Sequence, residues 1–292
     1  MSYYFNCLNI LLVLKYKYIF KKIQLIFRED LIMCKVISFY NNKGGVGKTT
    51  ILLNLAHALQ QRNNKILVID NDPQSNTTLL LSPKTEDELS TMNTIYELLV
   101  EKDTNTQDCI LPSLIDNIDI ISCTIDHIDT SEMLYQEPNN RTILRRKLFP
   151  ILNNYDFILI DNAPASDLTV MNALFASNII LTPIETQIFS HLGLKNLLTY
   201  INRVTMNNTN FIAHYTFINK IDNRRKTNNT IVIDSLKRFL LDTLLPTHIP
   251  VLSSFAKSID NGATVFQTND KRAQAEINAL TNALLQKIEE DF

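Results

Sequence analysis

The sequence predicts an α/β fold, a single doubly wound and mostly parallel sheet flanked by helices. Three observations lead there. Short apolar runs alternate with stretches of helical periodicity through residues 33–292. Two of the runs, 66–69 and 157–160, are continuously apolar and end on Asp70 and Asp161, as strands buried on both faces do. No low-complexity linker divides the 292 residues, so one large α/β domain is expected.

Composition narrows the classes of function. An apolar share of 45% and a charged share of 20% are those of a soluble globular protein. The net charge is −2, so any contact with nucleic acid must come from a local patch rather than from the overall field. Cys7, Cys34, Cys109 and Cys123 lack C-x-x-C spacing and read as reduced thiols without a metal or disulfide role.

Residues 1–32 are rich in Tyr, Phe, Ile and Leu, dotted with Lys15, Lys17, Lys21 and Lys22. Their longest apolar run, 10–14, falls far short of the ~20 residues of a membrane span, and no cleavage-site pattern follows it. They are expected to be an extension (translated upstream sequence, a disordered stretch or a weakly amphipathic segment), with the functional domain at 33–292.

Residues 35–40 read as the first strand. Next comes Lys43-Gly44-Gly45-Val46-Gly47-Lys48-Thr49-Thr50, which holds three of the chain's five glycines, and then Ile51, Leu52, Leu55 and Leu59 at helical spacing. Strand, glycine turn and helix in that order are the context of a phosphate-binding loop. Glycines permit positive φ and close approach, so backbone N–H groups converge on phosphate oxygens while the helix start adds its dipole. Lys48 would neutralise β/γ-phosphate charge, and the Thr49 hydroxyl would ligate Mg²⁺.

The general pattern wants glycine at position 42, where this chain has Asn42, and a second lysine, Lys43, opens the loop instead. Lys-Gly-Gly-x-Gly-Lys-Thr resembles the deviant phosphate loop of the ParA/MinD superfamily. The resemblance implies that residues 43 to 50 hold the nucleotide and that Lys43 reaches across a dimer interface to the other subunit's nucleotide. Asp70-Asn71-Asp72-Pro73-Gln74-Ser75-Asn76 resembles the family's second signature, D-x-D-P-Q-x-N. By that resemblance Asp72 positions or activates the attacking water, and Asp70 supports the Mg²⁺ shell. The run ending at Asp161 has the Walker B shape, its carboxylate holding Mg²⁺ through water. After it, Asn162-Ala163-Pro164-Ala165-Ser166 matches the family's D-x-P-P-S only in part.

The remaining elements follow in order. A helix is expected over 92–100, a strand over 118–122, and a helical stretch over 132–152 broken at Pro138, with Arg141, Arg145 and Arg146 on a solvated face. A strand over 178–183 is expected to stop at Pro183, followed by a helix over 189–204 with His191 on its surface. The next strand, 216–222, carries Asn219-Lys220-Ile221-Asp222. Alone, Asn-Lys-x-Asp is the guanine-reading motif of GTPases, whereas the resemblance implies that Asn219 contacts adenine. ATP is therefore expected, with GTP left open. Lys220, Arg224, Arg225 and Lys226 form the densest basic cluster, either solvated loop charge or a contact to nucleic-acid phosphates. A last strand at 246–251 precedes a helix over 271–288 that is expected to bury Ala275, Ile277, Leu280, Leu284 and Leu285. The acidic end at 289–292 is unlike the basic membrane helix of MinD, so no membrane partner is expected.

The resemblance covers about residues 33–290. It implies a ParA-type partition ATPase using ATP and Mg²⁺, cytoplasmic and nucleoid-associated, of the class without an N-terminal helix-turn-helix. It also implies an ATP-dependent homodimer that binds DNA nonspecifically and is released when a ParB-like centromere-binding partner stimulates hydrolysis. Two other classes share such loops: MinD-like membrane positioners, and ATP-dependent ligases of cobyrinate or biotin synthesis.

Overall fold

The computed structural model describes residues 34–186 and 191–292; the expectations for residues 1–32, for the start of the helix at 189 and for the His191 side chain lie outside the described residues. The strands are β1 (Lys35–Phe39), β2 (Ile66–Asn71), β3 (Ile110–Pro112), β4 (Ile118–Ile121), β5 (Phe157–Asn162), β6 (Ile179–Glu185), β7 (Ala213–Ile221) and β8 (Leu244–Pro250). They form one sheet in the order β3-β4-β2-β5-β1-β6-β7-β8. Every pair is parallel except β3, a three-residue edge strand antiparallel to β4. The helices are α1 (Lys48–Gln60), α2 (Asn76–Leu81), α3 (Glu86–Leu89), α4 (Ile95–Val100), α5 (Thr130–Leu134), α6 (Ile143–Leu148), α7 (Leu168–Ala176), α8 (His191–Thr205), α9 (Lys226–Leu240), α10 (Ser253–Asp260) and α11 (Lys271–Asp291).

Burial on both faces explains the continuous apolar runs. Ile66, Val68, Phe157 and Leu159 join the core made with α1 and α11, while Leu67, Ile69, Ile158 and Ile160 point the other way, toward α4, α6 and α7. α1 packs on the sheet beside α11, which itself lies against β8, and α1 is buried along Ile51, Leu52, Leu55, Ala56 and Leu59. On α11 the buried stripe is Ala273, Ile277, Leu280, Thr281, Leu284 and Ile288, spaced by three and four. Truncating a fully buried leucine such as Leu280 to alanine is worth roughly 2–5 kcal/mol, so the C-terminal helix is part of the core. Ala275, expected in that core, is exposed because Ala273 holds the position one turn before Ile277; Leu285 is only half-buried at the flank.

β7 and β8 begin earlier than expected, at Ala213 and Leu244, α11 runs on to Asp291, and three further differences have a visible cause. α4 starts at Ile95 rather than 92, because Thr94 and Glu97 form a reciprocal capping box there. The 132–152 stretch is not one interrupted helix: α5 stops at Leu134, α6 begins at Ile143, and Phe149–Asn154 finishes as a 3-10 turn with Pro150. Pro183 does not stop β6. Tyr40 N–H donates to Leu181 O, so the β1 side of β6 is the side on which Pro183 lacks a donor; β1 has ended there, and the Pro183 carbonyl accepts from Asn41 Nδ2 at 2.8 Å. Cys34, Cys109 and Cys123 are free and buried, and burial pushes all three thiols up.

The register assembles the site. Asp70 lies opposite Asp161 and Asn71 opposite Asn162 across β2 and β5, while Phe39 of β1 pairs with Asp161 from the other side. Three central strands thus deliver their carboxyl ends to one crevice, where open parallel sheets bind ligands.

Candidate functional site

Beyond β1 the chain crosses this crevice as residues 41–47 and enters α1. Gly45 and Gly47 are left-handed, with φ of 74° and 92°. Gly47 is constrained twice, since a Cβ there would lie 2.3 Å from Asn219 Nδ2. Asn219 donates to Val46 O at 2.8 Å, and Lys220 Nζ donates to Gly45 O. The C=O and N–H of a peptide unit point in opposite directions, so these contacts turn the Val46 and Gly47 N–H groups into the cradle.

Lys48 is 7% exposed and donates to Asn41 O at 3.2 Å and Lys43 O at 3.3 Å. Burial lowers its ammonium pKa, against the opposing charges of Asp161 and Asp72. Lys43 is half-buried; its backbone N–H donates to Asn41 Oδ1, while its Nζ is buried without an acceptor.

Asp161 Oδ2 accepts from the hydroxyls of Thr49 at 2.6 Å and Thr77 at 2.8 Å, whereas Oδ1 is buried with no partner. Burial pushes this carboxyl up to about 6. Asp70 is fully buried, and its oxygens accept from Asp72 N–H and from the N–H and hydroxyl of Thr78. Burial first, then the Asp161 charge, pushes it up to about 8. The unpartnered Asp161 oxygen beside the Thr49 hydroxyl suits a magnesium ion that keeps most of its water. A cation there also relieves two carboxylates buried on adjacent strands. Asp72 stands at the rim, half-buried, with Oδ1 accepting from Gln74 N–H at 3.0 Å.

The fold therefore brings Lys43, Lys48, Thr49, Asp70 and Asp161 into one crevice with Asp72 at its edge, and sets Asn219 beneath the loop. Thr77 and Thr78 were not singled out from sequence; their signal was a pair of hydroxyls opening a helix just after the second signature. Also unforeseen is a buried polar chain. Asn162 Nδ2 donates to Phe39 O at 3.0 Å and its Oδ1 accepts from Asn71 Nδ2 at 2.8 Å. Asn71 Oδ1 lies 3.1 Å from His127 Nε2, and Thr130 Oγ1 lies 2.8 Å from His127 Nδ1. Burial depresses His127 to about 4, so the imidazole is neutral, donating to Asn71 and accepting from Thr130. Asn162→Ala removes one acceptor of Asn71 Nδ2, which keeps a 3.3 Å bond to Thr169 O, and the donor to Phe39 O, and is expected to lower unfolding stability by about 1–3 kcal/mol, measured by urea denaturation.

The basic cluster is engaged locally. Arg224 Nε and Nη2 bind Asp222 Oδ1 and Oδ2 at 2.8 and 2.9 Å, Arg225 lies 3.7 Å from the same carboxylate, and Lys220 pairs with Glu185 at 3.3 Å. The Arg224 hydrogen bonds hold Asp222 down to about 2.

The AAA domain family matches residues 34–213. Sporulation initiation inhibitor protein Soj of Bacillus subtilis is 30% identical over 84% of this chain and 95% of its own length. Chromosome-partitioning ATPase Soj of Treponema pallidum is 30% identical over 74% of this chain and 85% of its own. The chain belongs to the ParA family of partition ATPases. Among solved structures, the ParA-family chain overlays a putative plasmid partition protein from Borrelia burgdorferi bound to AMPPNP. That match has a TM-score of 0.73 at 24% identity and covers 87% of this chain and 99% of that one. A cobyrinic acid a,c-diamide synthase from Mycobacterium smegmatis with bound ADP and magnesium also has a TM-score of 0.73. It is 21% identical and covers 88% and 96% of the two chains. At these identities the likeness is one of fold. Among the described residues no helix of this ParA-family chain is long and apolar enough to cross a membrane.

Proposed function

We propose that this protein is an ATP-operated switch for partitioning DNA. Two ATP-bound subunits pair with their nucleotides between them, the pair binds duplex DNA without sequence preference, and a ParB-like centromere-binding protein stimulates hydrolysis and so dissolves it. The observation that carries this reading is the pair of lysines in one loop. Lys48 sits among its own loop's carbonyls and serves its own subunit's β/γ-phosphates. Lys43 Nζ is buried without an acceptor, and an ammonium so placed calls for an anion. The reading gives it the phosphates of the second subunit's nucleotide.

Thr49 and Asp161 would hold Mg²⁺, with Asp70 behind them keeping α2 closed through Thr78. When bound, the ion neutralises charge on the β- and γ-phosphate oxygens. Asp72 orients the attacking water from the rim, and the amides of residues 44 to 50 hold the phosphates. The AMPPNP in the Borrelia partition protein supports an adenine nucleotide here, with Asn219 beside the base. The apolar stripe of α11 is spent on α1 and the sheet, which argues against a MinD-like membrane helix at this end.

A gel shift on random duplex DNA tests the reading. Retardation that requires ATP and Mg²⁺ is expected; ATP turnover with no retardation would favour a ligase. A ligase also needs a pocket for a second substrate beside the phosphates. The cavity of about 460 Å³ lined by Leu99, Lys102, Glu137 and Arg146 includes none of the loop's residues.

A further inference from the structure

We infer that Thr77 is a positioning residue of the magnesium site, its hydroxyl fixing the Asp161 carboxylate so that the other carboxylate oxygen stays free for the ion's water shell. The inference rests on the nucleotide-switch reading and deepens it. Asp161 Oδ2 accepts two hydroxyl protons, from Thr49 at 2.6 Å and from Thr77 at 2.8 Å, while Oδ1 is buried with no partner. A carboxylate oxygen has two lone pairs, so these bonds saturate Oδ2 and leave Oδ1 as the oxygen with capacity to spare. The terminal torsion of an aspartate is broad, and a single bond does not set it. Two donors that reach one oxygen from different helices, α1 and α2, do set it.

The two donors differ in their other duties. Thr49 belongs to the phosphate loop, and its oxygen would itself ligate the ion, so it is not an independent anchor for Asp161. Thr77 is fully buried and carries no such second task. Threonines inside helices often spend the hydroxyl on a carbonyl one turn back, as Thr205 does on Ile201 O and Thr281 on Ile277 O. Thr77 is the second residue of α2, with no helical turn before it, and its hydroxyl leaves the helix for β5 instead. Its neighbour Thr78 is engaged elsewhere. The Thr78 N–H and hydroxyl donate to Asp70, and the same hydroxyl accepts from Cys123 N–H at 2.8 Å. Thr78 thus ties α2 to the ends of β2 and β4, and from that fixed place Thr77 reaches Asp161.

The test is the factor by which Mg²⁺ tightens nucleotide binding, measured by calorimetry on the full chain with a slowly hydrolysed ATP analogue, in Mg²⁺ and in EDTA. Thr77→Val exchanges the hydroxyl for a methyl and is expected to reduce that factor about tenfold or more, the worth of one hydrogen bond to a charged group. Affinity in EDTA is expected to stay unchanged. Thr77→Ser keeps the donor and restores the factor; Thr77→Ala serves as a second variant without a donor. An unaltered factor in Thr77→Val and Thr77→Ala overturns the proposal, as does a Thr77→Ser variant that behaves like them. Equal losses in Mg²⁺ and in EDTA mark a merely structural threonine and overturn it too. An unmodified chain that binds the analogue equally well without Mg²⁺ overturns the positioning role alone, whereas one that binds no analogue at all overturns it together with the switch reading.

Discussion

Lys48→Ala abolishes nucleotide binding: the dissociation constant for magnesium-ATP is expected to rise about 10³-fold. The ammonium is 7% exposed, already aimed at the carbonyls of Asn41 and Lys43, and comes from the first residue of α1 at the cradle's centre. Two charge-assisted bonds to phosphate at about 1.5–3 kcal/mol each account for that loss. The folded protein is expected to tolerate the change, with stability altered by less than about 1 kcal/mol. Burial disfavours the Lys48 charge, and removing it offsets the two lost bonds to loop carbonyls. Isothermal titration of the variant, with a urea melt as control, separates binding from folding. A dissociation constant within tenfold of the unmodified protein's would contradict the role given to Lys48.

Asp72→Ala is expected to leave ATP binding largely in place while lowering hydrolysis by about 10²–10⁴-fold, the usual contribution of a positioned general base. Its carboxylate stands at the rim, bonded only locally to the Gln74 N–H, and its charge is felt by Lys48 below. With chemistry blocked, the ATP-bound pair has no way to release its DNA, so the complex in a gel shift should persist after partner is added. Single-turnover phosphate release reads the first effect. Normal turnover would remove Asp72 from the mechanism.

The strands around this site were readable because β2 and β5 are buried on both faces and show it as unbroken apolar runs. The loop was readable because a glycine-poor chain concentrates its glycines there. What sequence could not convey depends on how distant segments meet. That Asp161 is held by Thr49 from α1 and Thr77 from α2, and Asp70 by Thr78 from α2, follows from two helices meeting the ends of β2 and β5, which no local pattern announces. Pro183 reads as a strand end until β1 is known to have ended beside it. Ala275 was misplaced by one step on a helix where small residues occupy both the buried and the exposed face. Asn219 and Lys220 drew notice as a base-reading motif, yet their contacts on the Val46 and Gly45 carbonyls appear only in three dimensions.

The central claim is that one cradle carries two lysines with separate duties, and Lys43 bears the half of it that concerns a second subunit. Analytical ultracentrifugation with a slowly hydrolysed ATP analogue measures this directly. The account predicts a dimer for the native chain and a monomer for Lys43→Ala at the same nucleotide saturation. An equally stable Lys43→Ala dimer, or a native chain that stays monomeric with nucleotide bound, would contradict it.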